Sequence, residues 1–203
     1  MLRLLNFRCS FCSNPLDETH IAAFAKQAAG LRGVKQLRWA AERMTGQTAS
    51  PFEVQTSMLI SLPRDEGGLG IDITNNARIP LSEAARSLYD KTCCYADILI
   101  ESATDSMGVI LECQGRSAHG SEAASLSDAE RATALTSMGY DVIQITYDQI
   151  KDKRSFGNLA KLIHKKAGLP YTPKTDQERT TEDALRQELL VDWVELFTAG
   201  PAS

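Results

Sequence analysis

The chain has 203 residues, a hydrophobic content of 43% and a formal net charge of −4 at pH 7. This length and apolar fraction suit one sizeable core with a small appendage. No apolar run approaches the roughly 20 residues that a bilayer crossing needs, and the opening MLRLLNFRCSF is too short for a secretory signal. We therefore expect a cytoplasmic protein without a membrane partner.

The five cysteines do not form an even framework, which favours reduced thiols in a cytoplasm. Cys9 and Cys12 form a C-x-x-C, which is half of a zinc site. No second pair has the right spacing, so we interpret these two side chains as free thiols.

The charge is distributed unevenly along the chain. Residues 21–64 carry six Lys and Arg against two acids, and residues 151–166 carry six against one. Residues 65–150 carry five basic residues against fourteen acids, and the tail from 167 carries three against seven. The two basic segments are either solvated helix faces or local contacts for phosphates.

The first quarter of the chain reads as helical. NPLDETHIAAFAKQAAG predicts a helix with Asp17 as its N-cap, and LRGVKQLRWAAERMTG continues helically. SPFEVQTSMLISLP predicts a third helix, because Ser50 is placed to cap it, Pro51 suits its first position and Glu53 completes a capping box. We assign residues 1–49 to an N-terminal helical segment.

Strands dominate the middle of the chain. LGIDITNNARIPL predicts an irregular strand or strand pair, and CCYADILIES and MGVILECQG predict two strands joined by a polar turn. SLSDAERATALTSMG predicts a helix capped by Ser127 and stopped by Gly139, and YDVIQITY predicts a buried strand. The order helix, three strands, helix and strand predicts an α/β fold with a mixed sheet and helices on both faces.

Two amphipathic helices are predicted near the end of the chain. The first helix is predicted at SFGNLAKLIHKKAG, and a linker follows it at YTPKTDQERTT. The second helix is predicted at EDALRQELLVDWVELF, where Leu185, Leu189 and Trp193 recur at helical spacing. We assign residues 50–170 to the main domain and residues 171–203 to the linker and C-terminal helix. We expect that helix to pack on the domain, on a second subunit of a homodimer or on a partner protein.

The segment GVILECQGRSAHG places polar side chains at the end of a buried strand. If the preceding turn is centred between residues 104 and 105, an antiparallel hairpin brings Asp97 directly opposite Glu112 on one face. Gln114 shares that face because the side-chain period of a strand is two. The apolar residues Ile98, Ile100 and Leu111 then point to the opposite face.

Two carboxylates so close repel each other unless a cation or a shared proton intervenes. Hard oxygen ligands suit Mg²⁺ or Mn²⁺, and the backbone carbonyl of Cys113 could add a ligand. Such a metal lowers the pKa of a bound water and stabilises charge on a phosphoryl oxygen. The pattern therefore points to phosphodiester hydrolysis.

At these residues the sequence resembles the PD-(D/E)xK nuclease superfamily, in particular small endonuclease-like domains related to very-short-patch repair endonucleases. Asp97 matches the Asp that opens the second core strand, and Glu112 matches the Glu of the E-x-K on the third. Gln114 falls where Lys is usual, and Glu53 matches an extra acid that many members supply to the metal. The resemblance implies a restriction-endonuclease-like αβββαβ core, here with extra N- and C-terminal helices, and one or more Mg²⁺ or Mn²⁺ ions.

The similarity extends over about residues 20 to 168. GRSAH is similar to the Gly and His that follow the acidic strand, Asp128 and Arg131 match a D-x-x-R, and MGYDVIQIT resembles the closing strand. SPFEVQTSMLISLPRDEGGLG also resembles an actinobacterial group of such proteins, in which this domain follows an abortive-infection antitoxin-like half. In this interpretation His119 is a general acid or base or a phosphate contact.

Gln114 departs from the superfamily pattern. An ammonium would orient the attacking water and offset phosphate charge, whereas a neutral amide only forms hydrogen bonds. Two functions follow: a metal-dependent endonuclease acting on DNA, or a catalytically inactive nuclease fold that binds DNA or acts as an antitoxin-like regulator. A plain interaction protein is the third alternative.

Each candidate residue also has a structural interpretation. In that interpretation Glu53 serves only its helix cap, Gln114 bonds a strand end and His119 is an exposed loop histidine. Asp97 and Glu112 are then paired with arginine, since a buried charge is costly alone. The candidate partners are Arg116 and Arg131, and the alternative for Arg131 is a simple i,i+3 pair with Asp128.

Basic residues are the candidates for contacts to DNA phosphates. They are Lys35, Arg38, Arg43, Arg116, Arg131 and the tract at 151–166.

Overall fold

The computed structural model describes residues 18–114 and 122–191. Eight helices and four strands are formed within these ranges. They are α1 (Glu18–Gln27), α2 (Val34–Ala41), α3 (Pro51–Ser61), β1 (Thr74–Pro80), α4 (Glu83–Arg86), β2 (Cys93–Ile100), β3 (Gly108–Gln114), α5 (Glu122–Ser137), β4 (Tyr140–Thr146), α6 (Tyr147–Lys151), α7 (Lys153–Ala167) and α8 (Asp176–Leu189).

The four strands form one mixed sheet in the order β1-β2-β3-β4. β1 pairs with β2 and β2 with β3 in antiparallel fashion, while β4 lies parallel to β3. The parallel pair is connected through α5, as a parallel crossover requires. The predicted α/β class and the predicted mixed four-stranded sheet flanked by helices are confirmed.

The core lies on both faces of this sheet. On one face, α3, α7 and the end of α8 cover a cluster that includes Ile98, Ile100 and Leu111. On the other face, α4 and α5 cover a smaller cluster around Ile110 and Leu135. The prediction that Ile98, Ile100 and Leu111 face the core is therefore confirmed.

Helix α3 is buried on all sides, from residue 52 to residue 60. Ser50 is its N-cap, as predicted: Ser50 Oγ accepts from the backbone N–H of Glu53 at 3.2 Å, and Pro51 occupies the first helical position. The reciprocal half of the predicted capping box differs, because Glu53 accepts from the backbone N–H of Ala49 and not from that of Ser50. This cap fixes where Glu53 lies relative to the sheet.

Two helix starts were predicted wrongly. α5 begins at Glu122, so Ser127 lies inside the helix and is not its N-cap. α8 begins at Asp176 within the stretch predicted as a linker, because Thr175 caps it and Glu178 completes a capping box.

Helix α8 packs on the domain, which was one of the alternatives predicted for the C-terminal helix. Leu189 is buried, and its backbone carbonyl accepts from Gln55 Nε2 at 2.7 Å. Arg186 is also buried; its Nη2 donates to the Ile150 carbonyl at 2.6 Å, and its guanidinium lies over the Phe156 ring. Within the described ranges, none of the helices has the length and the apolar composition that a membrane span needs.

Candidate functional site

The β2–β3 hairpin has the register predicted from the sequence. Three pairs show it: Ile98 with Leu111, Leu99 with Ile110 and Ile100 with Val109. The observed pairing of the two strands ends at Ile98 and Leu111, and Asp97 and Glu112 are the next residue on each strand in that register. Opposed positions on one face place their side chains within contact distance.

Asp97 bonds directly to the neighbouring strand. Its Oδ2 accepts a hydrogen bond from the backbone N–H of Cys113 at 2.8 Å. Burial raises the pKa of Asp97 to about 6; the hydrogen bond from Cys113 opposes this shift, and the negative charge of Glu53 adds to it. Asp97 therefore binds its proton more tightly than an ordinary aspartate.

Glu112 is 7% exposed and has one bonded and one unbonded oxygen. Oε2 accepts from Arg131 Nη2 at 2.7 Å, whereas Oε1 is buried without a hydrogen-bond partner among the described residues. Burial, followed by repulsion from Asp97, raises the pKa of Glu112 to about 7, although Arg131 acts in the opposite direction. Both acids of the pair therefore hold their protons to a higher pH than ordinary carboxylic acids do.

Arg131 connects the pair to α5. It also approaches Asp128 at 3.7 Å, as the i,i+3 interpretation predicted. The predicted salt bridge between a site acid and Arg131 is therefore present, through Glu112 and not through Asp97.

Glu53 serves the cap of α3 with both of its oxygens. Oε1 accepts from Ser50 Oγ at 2.8 Å, and Oε2 accepts from the backbone N–H of Ala49 at 2.6 Å. The capping interpretation is confirmed. Glu53 is nevertheless close enough to Asp97 for its charge to be felt there.

Cys113 and Gln114 end β3 beside the acids. Burial raises the pKa of the Cys113 thiol, so this side chain is a neutral thiol and not a thiolate ligand. Gln114 is exposed and pairs through the ladder with Thr146 of β4. Its side chain is thus accessible from solvent at the end of the acidic strand.

Two observations on the described residues bear on whether a divalent metal fits this site. No group of three or more His, Cys, Asp or Glu side chains within 18–114 and 122–191 is arranged to hold an ion. The pair Asp97 and Glu112 still offers hard oxygen donors, and the unbonded Glu112 Oε1 is an acceptor that lacks a cation or donor. Mg²⁺ commonly binds through one or two carboxylates and retains several waters, so the donor set fits a two-carboxylate site.

The predicted basic contacts are dispersed. Arg43 pairs with Glu66 and lies over the Trp39 ring, and Arg38 donates to the Ala25 carbonyl at 3.1 Å. Lys35 is exposed on α2. Of the candidates that the structure describes, Arg131 is the one that bonds to a member of the carboxylate pair.

Several predicted residues lie outside the described ranges. These are Cys9, Cys12, Arg116, His119 and Trp193.

Sequence reasoning missed one feature of the site, the hydrogen bond from the Cys113 N–H to Asp97. It has no signal in the residue types, because a backbone donor is present everywhere.

We compared the chain with protein-family models, with curated proteins and with solved structures, and none of them matches.

Proposed function

We propose that this protein is a metal-dependent endonuclease-like protein that hydrolyses DNA phosphodiester bonds, with a restriction-endonuclease-like core. The observation that carries the proposal is the carboxylate pair just beyond the last paired residues of β2 and β3. Asp97 and Glu112 have raised pKa values, and Glu112 Oε1 lies buried without a partner among the described residues. A divalent cation would relieve both features.

The topology supports the same proposal. A helix, three strands, a helix and a strand follow one another as α3, β1, β2, β3, α5 and β4, with the short α4 inserted between β1 and β2. The acids lie at the positions that the resemblance implies, Asp97 on the second strand and Glu112 on the third. Gln114 follows Glu112 on the same strand and is exposed, so it can reach a water or a phosphate.

In this function Asp97 and Glu112 would hold the metal, which would supply polarisation of a phosphate oxygen and a lower pKa for water. Glu53 would keep its cap and could accept a hydrogen bond at the site through a remaining lone pair. The Gln114 amide oxygen accepts a hydrogen bond from the attacking water and so orients it. When no substrate is bound, the positive charge of Arg131 offsets part of the negative charge of the two carboxylates.

Arg131 gives the second candidate function its support. A guanidinium that already neutralises Glu112 at 2.7 Å makes a metal less necessary, and Gln114 lacks the charge of the usual Lys. A nuclease fold that binds DNA, or regulates as an antitoxin-like protein, without hydrolysis would retain this arrangement. The two candidates differ in one measurable property, which is metal binding by Glu112.

The test combines metal binding with cleavage. Mn²⁺ binding to the full chain at pH 8 is measured by calorimetry, and nicking of supercoiled plasmid is followed with Mg²⁺ and with Mn²⁺. The proposal expects Glu112→Ala to abolish Mn²⁺ binding and Asp97→Ala to abolish nicking. Glu101→Ala is the matched control, because Glu101 is an exposed acid directly after β2 and should change neither.

Each alternative has its own outcome. Nicking that persists in Asp97→Ala would reject the hydrolytic function. DNA binding at low salt without Mn²⁺ binding would favour the inactive nuclease fold, because phosphate contacts are strongest there. Absence of both would favour a plain interaction protein.

A further inference from the structure

One nitrogen atom of Arg131 contacts two carboxylates from different elements. Arg131 Nη2 lies 2.7 Å from Oε2 of Glu112 on β3 and 3.7 Å from Oδ1 of Asp128 on α5. Carboxylate oxygens are the ligands that Mg²⁺ and Mn²⁺ prefer. The guanidinium therefore lies between two oxygens that could also bind a metal ion.

The packing of α5 holds Arg131 in this position. Ala134 and Leu135, three and four residues further along the helix, are buried in the cluster that α5 covers on the sheet. Residues three and four apart share one helix face, so Arg131 also lies on the side that faces the sheet. The Asp128 side chain, in contrast, is exposed to solvent.

The two oxygens of Glu112 have different surroundings. Oε2 is bonded to Arg131, whereas Oε1 is buried without a hydrogen-bond partner among the described residues, in a side chain that is nine-tenths buried. Asp97, the neighbouring acid in the hairpin register, uses Oδ2 to accept from the Cys113 N–H. One side of Glu112 is thus neutralised, and the other side is still open to a cation.

The charges around Arg131 leave a deficit that one divalent ion would balance. Besides burial, the negative charge of Asp128 contributes to the raised pKa values of Asp97 and Glu112, and Arg131 acts in the opposite direction on both. When ionised, these three carboxylates carry three negative charges, and the guanidinium offsets one of them. Two negative charges are left, which is the charge of a single Mg²⁺ or Mn²⁺ with its sign reversed.

We infer that Arg131 occupies the place of a second cation, so that the site binds one divalent ion per chain and not two. The ion would be held by Asp97 and Glu112 Oε1, while Glu112 Oε2 and Asp128 stay with the guanidinium. Sites with two metals hold their ions about 3.5–4 Å apart, and here a side chain replaces one of them. The inference rests on the proposed function, because it presupposes a metal at the carboxylate pair.

The ion-pair geometry agrees with the search for metal-binding groups. Within residues 18–114 and 122–191 no three acids are arranged to hold an ion, although Asp128 lies close to the pair. Arg131 stands between Asp128 and Glu112 and keeps the third acid from joining the other two. Removal of the guanidinium would therefore make a second group of oxygen ligands available.

The test counts Mn²⁺ ions bound to the full chain by calorimetry at pH 8, where both acids of the pair are ionised. Wild type should bind one ion per chain. Arg131→Ala should bind two, whereas Arg131→Lys retains the positive charge and should bind one. Asp128→Asn added to Arg131→Ala removes a ligand of the second ion and should return the number to one.

The matched control is Arg179→Ala. Asp176 and Arg179 on α8 form an i,i+3 pair with the same spacing as Asp128 and Arg131. The control removes the same charge away from the carboxylate pair, so the number of bound ions and their affinity should be unchanged. Electron paramagnetic resonance is the second readout, because two Mn²⁺ ions about 4 Å apart broaden each other's signal, which is expected in Arg131→Ala and not in wild type.

The outcomes separate this inference from the proposed function. Two coupled ions in wild type, or one ion in folded Arg131→Ala, would overturn the inference and leave the proposed function standing. Absence of Mn²⁺ binding in wild type and in Arg131→Ala would overturn both. Circular dichroism checks that the variants fold; if Arg131→Ala does not, Arg131→Gln, which is uncharged and retains a hydrogen-bond donor, takes its place and should also bind two ions.

Discussion

Arg131 of α5 donates a hydrogen bond to Glu112 of β3 at 2.7 Å, and this partly buried ion pair joins the helix to the end of the strand. The Glu112 side chain is 10% exposed and that of Arg131 is 26% exposed. In spite of this cation, burial and the nearby Asp97 keep the pKa of Glu112 raised. Ionisation of Glu112 therefore destabilises the folded state.

The first prediction concerns stability and pH. The pKa of Glu112 is raised from 4.5 to about 7 and that of Asp97 from 3.8 to about 6, so both acids bind protons more tightly in the folded chain. Their contribution to stability is present below pH 4 and is lost as pH rises through about 6 to 7. Glu112→Gln should therefore be more stable than wild type at pH 8, by on the order of 1–3 kcal/mol, and equally stable near pH 4.

Chemical denaturation at pH 4, 6 and 8 measures this difference. Glu101→Gln, at an exposed acid beyond β2, serves as the control and should show no such trend. A Glu112→Gln variant that loses stability equally at every pH would show that the ion pair outweighs burial.

The second prediction isolates the ion pair itself. Arg131→Met leaves the Glu112 charge buried without its cation, which should cost about 1–3 kcal/mol at pH 8. At pH 5 Glu112 is mostly protonated, so the loss should be much smaller. A double-mutant cycle with Glu112→Gln at both pH values measures the coupling directly. Coupling that is as large at pH 5 as at pH 8 would contradict the assignment of the proton to Glu112.

The third prediction separates the two roles of Glu53. Its carboxylate oxygens accept from Ser50 Oγ and from the Ala49 N–H, so Glu53→Ala should destabilise the fold by about 0.5–2 kcal/mol through the loss of these two hydrogen bonds at the start of α3. If Glu53 contacts a metal only through water, Mn²⁺ affinity should fall by much less than in Glu112→Ala. Ser50→Ala is the comparison, because it damages the same cap and removes no carboxylate. A Glu53→Ala variant that loses all Mn²⁺ binding while Ser50→Ala retains it would make Glu53 a direct ligand.

The hairpin register shows how much of the site could be predicted from the sequence. The side-chain period of two and a short polar turn were sufficient to place Asp97 opposite Glu112, and the observed pairs have that register. The sequence also predicted the cap of α3, because Ser50, Pro51 and Glu53 each favour the same start. Both predictions depend on residues that lie close together along the chain, and the folded chain agrees with them.

Other features of the site depend on contacts between distant segments. Whether Arg131 bonds to Glu112 or points to solvent depends on how α5 packs across the sheet, which a strand pattern does not specify. The bond from Cys113 to Asp97 depends on the separation of two strands after their last paired residues. A cavity beside α7, which α8 also lines, requires α8 to fold back over the domain, and the start of α8 was predicted six residues too late, at Glu182 and not at Asp176.

The fourth prediction contrasts two glycines with opposite surroundings. A Cβ at Gly68 would lie 2.0 Å from the Leu62 carbonyl oxygen, which is backbone and cannot move aside without displacing the end of α3. Gly68→Ala should therefore destabilise the fold by more than about 3 kcal/mol. Gly157, in the middle of α7, has open space where a Cβ would stand, and alanine there removes the entropic cost of a helical glycine. Gly157→Ala should stabilise the fold by about 0.5–1 kcal/mol. Thermal and chemical unfolding of the two variants beside wild type measures both shifts, and a stable Gly68→Ala protein would mean that the turn after α3 is not packed as described.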